Sequence, residues 1–186
     1  MIDLSRAFLP DTVTVEGRDF PVHTDFRFWI IFVRKVKDIE NCQYGDFDFI
    51  FADEIPENRE EAFSALCQFA FPVPELPRKT GSEKSDIIPY DFDIDADYIF
   101  AAFYQQYRID LCDEKLRLHW YKFTALFNGL KDTKFDDIIS WRFFVPGEKY
   151  DAEKERLRLR QKWEIKHKPT KKEKETVENF RKHLKC

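Results

Sequence analysis

The chain has 186 residues, 43% of them apolar, including 20 Phe, 4 Trp and 7 Tyr, and its 35% charged residues leave a net charge of −4. That much large apolar surface excludes global disorder, and no apolar run reaches the roughly 18–20 residues that span a bilayer. Four cysteines far apart in sequence (Cys42, Cys67, Cys112, Cys186) argue for reduced thiols over a disulfide framework, and Met1 to Arg6 lacks a cationic leader followed by an apolar core. The reading is a cytosolic protein of one domain with an appendage, or of two small domains.

Thr12-Val13-Thr14-Val15 and Phe20-Pro21-Val22 alternate around Glu16-Gly17-Arg18-Asp19, which predicts a β-hairpin. Thr24-Asp25 offers a cap oxygen to a helix whose Trp29, Phe32, Val33 and Val36 share one face. Asp46 to Phe51 alternates like a strand but is short, so strand and helical turn both remain open there. Pro56 and the acids after it predict a helix start, with Ala62, Phe63, Leu66, Phe69 and Ala70 as its apolar face. Residues 72–89, with Pro72, Pro74, Pro77, Gly81 and Pro89, read as a linker between a unit at 1–71 and a unit at 90–148.

The second unit reads as three helices. Asp91 or Asp93 caps the first, whose wide apolar arc runs from Ile94 to Tyr107 and places it centrally. Leu116, Trp120, Phe123, Leu126, Phe127 and Leu130 make a second, closed by Asn128-Gly129. A third starts at Thr133-Lys134, presents Phe135, Ile138, Ile139 and Phe143, and ends before Pro146-Gly147. The fold class is therefore mainly α: a bundle-like helical body with an N-terminal β-hairpin and a basic helical tail over 149–186.

Charge divides with that tail. Residues 1–148 hold 17 Lys and Arg against 28 Asp and Glu, a balance of −11, while 149–186 hold 14 against 7, a balance of +7. The tail predicts a helix from about Asp151 to His167 and a second opened by Thr170 to Glu173, and it carries Arg156, Arg158, Arg160, Lys162, Lys171 and Lys172. A basic helix of this kind is solvated, docks on the acidic body or meets a partner protein; its seven interspersed acids disfavour nucleic acid.

Few residues point to chemistry. Asp91-Phe-Asp93-Ile-Asp95-Ala-Asp97 resembles a calcium loop, but Ala96 stands where a sharp turn needs Gly and Ala102 where a bidentate Glu belongs, so the acids read as helix-start charges. His119, with Asp110 and Asp113 near in sequence, reads as a helix histidine hydrogen-bonded to a loop, since no nucleophile or second histidine completes a site. No zinc spacing and no glycine-rich phosphate loop occurs, so no catalytic residue, metal or cofactor is expected. Phe47, Phe49, Phe51, Phe69 and Phe71 are either ordinary core or an apolar trough for a partner helix.

One set of residues carries a resemblance. Tyr90 to Leu111, Leu118-His-Trp-Tyr-Lys-Phe123, Leu126-Phe-Asn-Gly-Leu130 and Ile138-Ile-Ser-Trp-Arg142, with Val15 to Arg27, Ile55-Pro56 and Glu60-Glu-Ala62, resemble the phage "gene product fifteen" family of long-tailed phages and prophages of low-GC Gram-positive bacteria. The likeness spans close to the whole chain and is weakest after about residue 150. It implies a non-enzymatic tail-assembly chaperone in the host cytoplasm, with the tape-measure protein and the major tail protein as partners and room for self-association. The family offers no binding residues to carry over, so the five phenylalanines are the trough expected from composition alone. The alternative of another class is a DNA-associated or virion-structural phage protein that uses the basic tail from Lys149 to Lys185.

Overall fold

The structure, a computed structural model, describes residues 2–72, 88–144 and 150–166. Strands β1 (Thr12–Val15) and β2 (Arg18–Pro21) pair antiparallel with Val13 opposite Phe20. The turn is two residues, Glu16 and Gly17, both at positive φ, which matches the twist of a tight hairpin. Arg18 and Asp19, read from the sequence as part of the turn, belong to β2. Glu16 takes the left-handed conformation that the tight turn requires, and its N–H donates to the Glu61 carboxylate at 2.7 Å. The inward residues Val13, Val15 and Phe20 are buried.

Helix α1 (Phe26–Lys37) is capped by Asp25, whose carboxylate accepts from Arg27 N–H, and buries Phe26, Trp29, Phe32 and Val33. The undecided stretch is neither strand nor α-helix: Tyr44–Ile50 winds as a 3-10 helix, and Phe51 then makes one bridge to Val22. Helix α2 (Arg59–Ala70) starts three residues after Pro56, where the sequence suggests it. Asn58 is its cap, accepting from Glu61 N–H, and Glu60 and Glu61 fill the first turn.

Helix α3 (Ala96–Tyr107) differs from the sequence reading in two respects. Asp91 caps only a preceding turn, accepting from the N–H groups of Asp93 and Ile94, while Asp95 occupies the cap position itself. The helix is also peripheral: Ile99, Ala102 and Phe103 are buried, whereas Ala101 and Tyr104 face solvent and so widen the apolar arc without adding to the core. Helix α4 (Trp120–Asn128) begins four residues after Leu116, because the preceding backbone is used elsewhere. Phe26 N–H donates to Leu118 O at 2.9 Å and Trp120 N–H to Thr24 O at 2.7 Å, so the starts of α1 and α4 are stitched together by a β-bridge. Helix α5 (Lys134–Arg142) is capped by Thr133 as expected and stops before Phe143, which is exposed. Helix α6 (Tyr150–Trp163) is the first part of the basic tail and packs on α5. The interior of the 72–89 linker and the second tail helix, with Lys171 and Lys172, lie outside the described residues.

One apolar cluster runs from Val13 to Phe135, so the stretches at 1–71 and 90–148 contribute to a shared core. Trp29 sits at its centre, stacked on Phe69 at 4.5 Å and Trp120 at 6.3 Å, with its ring N–H donating to His23 O at 2.7 Å. Phe123 continues the stack towards Phe103, Phe92 and Phe127. The architecture is mainly α with one small N-terminal hairpin.

Candidate partner-binding surface

Eleven phenylalanines are buried among the described residues, and that is where most of the aromatic excess goes. Phe47, Phe51 and Phe69 are among them. Phe69 projects from the inner face of α2 onto Trp29 and Tyr121, while Phe47 sits between Phe32 and Phe63. Phe49 is half-buried and Phe71, just past α2, is 49% exposed. The five residues expected to form one trough are thus divided between interior and surface: the 3-10 winding turns Phe47 inward and Phe49 outward, and α2 buries Phe69 while Phe71 lies past its end. In this conformation only Phe49 and Phe71 are available to a partner.

Other residues make up the apolar surface. His23 stacks on Phe28 at 4.4 Å and Phe28 on Phe49 at 6.5 Å, a half-buried ribbon across the outer side of α1. Ile31, one turn beyond Phe28, is 43% exposed and prolongs it. A second outcrop joins exposed Tyr44 to half-buried Phe63, whose rings are 5.7 Å apart. Leu4 and Phe8 of the N-terminal arm are almost fully exposed. These positions escape a sequence reading because α1 shows apolar residues on more than one face, and only packing decides which face is covered.

His119 is not inside a helix but caps one. Its Nδ1 accepts from Tyr121 N–H at 3.0 Å, and its Nε2 lies 2.9 Å from Pro10 O, which fits the neutral ring carrying its proton on Nε2. Its loop partner is the chain before β1, and Asp110 and Asp113 instead cap turns of their own loop. Burial holds the His119 pKa below its ordinary value; the Pro10 carbonyl and Asp11 oppose this and Lys122 adds to it. A depressed imidazole stabilises the fold above the unfolded-state pKa near 6.5, and that contribution is lost as pH falls towards the folded value. The melting temperature should therefore drop between about pH 7 and pH 5, and His119→Asn, which keeps a capping oxygen, should flatten part of the drop. An unchanged slope in His119→Asn would assign the drop to other groups.

The charged residue that the sequence reading passed over is Arg142. It is 2% exposed and forms a bidentate pair with Asp95, itself 1% exposed, at 2.7 and 2.8 Å. The same guanidinium donates to Pro89 O at 2.9 Å and to Trp163 O at 2.7 Å, so it ties the start of α3, the end of α5 and the last carbonyl of α6 to one point. The available signal was spacing: Arg142 continues the buried Phe135–Ile138 stripe of α5, where a cation needs a partner. Asp95 is accordingly an ion-pair residue, set apart from the other three aspartates of its run. Partial burial alone would raise the Asp91 carboxyl, but the N–H groups of Asp93 and Ile94 and the Lys37 ammonium outweigh it and hold the carboxyl below the usual range.

Of the basic-tail residues, Arg156 lies over the Phe144 ring and Arg160 donates to Phe144 O at 3.0 Å. Arg158 and Lys162 are exposed. Trp163 packs between Tyr98 and Trp141, with ring centroids at 5.3 and 6.0 Å. The first tail helix is docked on its own body. Among the described residues no cluster of His, Cys, Asp and Glu could hold a metal ion, and no helix is long and apolar enough to cross a membrane.

Comparison with curated proteins and with solved structures gave no match. The family model described as "Bacteriophage Gp15 protein" matches residues 6–166, which include the hairpin, the aromatic core, the Asp95–Arg142 pair and α6. With that match across most of its length, the chain belongs to the bacteriophage Gp15 protein family.

Proposed function

We propose that this bacteriophage protein is a non-enzymatic tail-assembly chaperone. It acts in the host cytoplasm, where it shields the long apolar helix of the tape-measure protein and helps recruit subunits of the major tail protein. The observation that carries the reading is the family match over residues 6–166, together with the chaperone role that the family resemblance implies. The surface supports it: shielding an apolar helix calls for accessible aromatic and aliphatic side chains, and Phe28 and Ile31 of α1 with Phe49 of the adjoining 3-10 segment offer them.

Co-expression with a helical tape-measure fragment tests it. The fragment should move into the soluble fraction and co-elute with the chain, and Phe28→Ser with Phe49→Ser should reduce co-elution by about tenfold while the melting profile stays cooperative. A fragment whose solubility does not change and that gives no complex would refute the proposal. Recovery of the complex undiminished in the double variant would move the binding face to the Tyr44–Phe63 outcrop or the N-terminal arm.

A further inference from the structure

Helix α6 has two basic faces with different surroundings. At about 100° per residue, Arg156, Arg160 and Trp163 fall on one side. That side meets the body through the Phe144 ring, the Phe144 carbonyl and the Tyr98–Trp141 pair. Lys154, Arg158 and Lys162, four residues apart, form a row on the other side beside Gln161, and all four are exposed. Glu155 lies at the edge of this face, one turn before Arg158, Glu164 lies off it, and Lys162 at the end of the row also reaches the Trp163 ring at 5.6 Å. Docking α6 on the body thus uses one set of arginines and turns a continuous cationic row outward.

The opposite charge is on the same chain. Residues 1–148 carry −11, and the approach to α2 concentrates it: Asp53, Glu54, Glu57, Glu60 and Glu61 are all exposed. Within that edge Arg59 is spent on Asp48, Glu54 on Arg18 and Glu61 on the hairpin turn, so Asp53, Glu57 and Glu60 are the carboxylates facing outward. The cationic row belongs to a helix docked on α5 and α3, and the acidic edge to the side where α2 meets the hairpin.

We propose that the outer face of α6 is a self-association surface, and that its occupant is the acidic edge Asp53–Glu60 of a second copy of this chain. Charge complementarity selects the partner. A nucleic acid would be attracted by the row but repelled by a body of −11, and two of the helix's arginines already serve Phe144. A second copy carries the same −11 body but also its own +7 tail, so two copies meet at −4 each, a far weaker repulsion than the charge density of a nucleic acid brings, and its carboxylates can be set against the row. If each row meets the other copy's edge across a two-fold axis the contact closes as a dimer, and if it is made in one direction only it repeats from copy to copy into a ring or an open row. The inference does not depend on which client the chaperone serves.

Sedimentation velocity of the full chain is the test. At about 0.05 M salt the weight-average mass should rise with protein concentration, and at about 0.5 M it should fall to the monomer value, since exposed charges are screened over a few ångströms there. The triple variant K154E/R158E/K162E and the neutral variant K154Q/R158Q/K162Q should both remain monomeric at low salt. So should D53K/E57K/E60K. Mixing the K154E/R158E/K162E and D53K/E57K/E60K variants should restore association, because each then supplies the charge that the other needs. A chain that is monomeric at both salts, or variants that associate as well as the parent, would overturn the proposal. So would row variants that lose retention on duplex DNA while the self-association of the parent stays insensitive to salt.

Discussion

Arg142→Ala should destabilise the protein by about 3–5 kcal/mol, the range for removing one partner of a buried ion pair. The pair is nearly inaccessible to water on both sides, so the remaining Asp95 carboxylate would keep only the Asp91 N–H as a close partner and would stay desolvated. The Pro89 and Trp163 carbonyls would lose their donor at the same time. A cation at the end of α6 is also favourable for the helix dipole, and its loss should loosen α6. The expected readout is a lower urea midpoint at an unchanged slope, with earlier proteolytic release of α6. Asp95→Ala should cost a similar amount. The double variant should cost clearly less than the sum, because removing both charges leaves neither one stranded. A loss under about 1 kcal/mol for Arg142→Ala would mean that water reaches the site and that the three-way tie contributes little.

Trp29→Ala should cost about 3–5 kcal/mol through lost transfer energy and an unfilled cavity. Trp29 is fully buried, its ring touches aromatic side chains from α2 and α4, and its N–H satisfies the carbonyl at His23. Trp29→Phe separates these contributions. It keeps an aromatic stack and removes the hydrogen bond, so most of the loss should return, leaving about 1–2 kcal/mol for the orphaned carbonyl and the smaller ring. Phe71→Ala is the internal control: it is half exposed and should stay within about 0.5 kcal/mol of the parent. Chemical denaturation of the three variants orders them. If Phe71→Ala proved as costly as Trp29→Ala, Phe71 would be packed in solution and removed from the accessible surface.

The combination bears on function. A core welded by Trp29, Trp120 and Phe123 holds α1, and buried Phe47 and Ile50 hold the 3-10 segment, so Phe28 and Ile31 of the one and Phe49 of the other are presented by a packed support. Presenting apolar side chains without ordering cost is the property that a factor for shielding apolar helices requires. The docking of α6 leaves that ribbon open, since its contacts lie on α5 and on Tyr98.

Much of the chain is governed by residues close in sequence, and these parts could be read from it. Glu16-Gly17 makes the hairpin, Asp25 caps α1, Thr133 caps α5, and Gly129 ends α4, each through a hydrogen bond or a φ angle within a few residues. The family resemblance was legible for the same reason, since it rests on short runs such as Leu118-His-Trp and Asn128-Gly-Leu. What the sequence could not decide depends on partners far along the chain. Leu116 has helical spacing to Trp120, yet the pairing of Leu118 and Trp120 with Phe26 and Thr24 holds the chain before α4 in a bridge and makes His119 a cap. Asp95 looks like its neighbouring aspartates until Arg142, 47 residues away, is brought against it. Phe47 and Phe49 share one composition but differ in burial, because the core accepts only one side of a 3-10 turn. Local hydrogen bonding fixes where elements start, whereas burial is a property of the packed whole, and burial alone determines which phenylalanines a partner can touch.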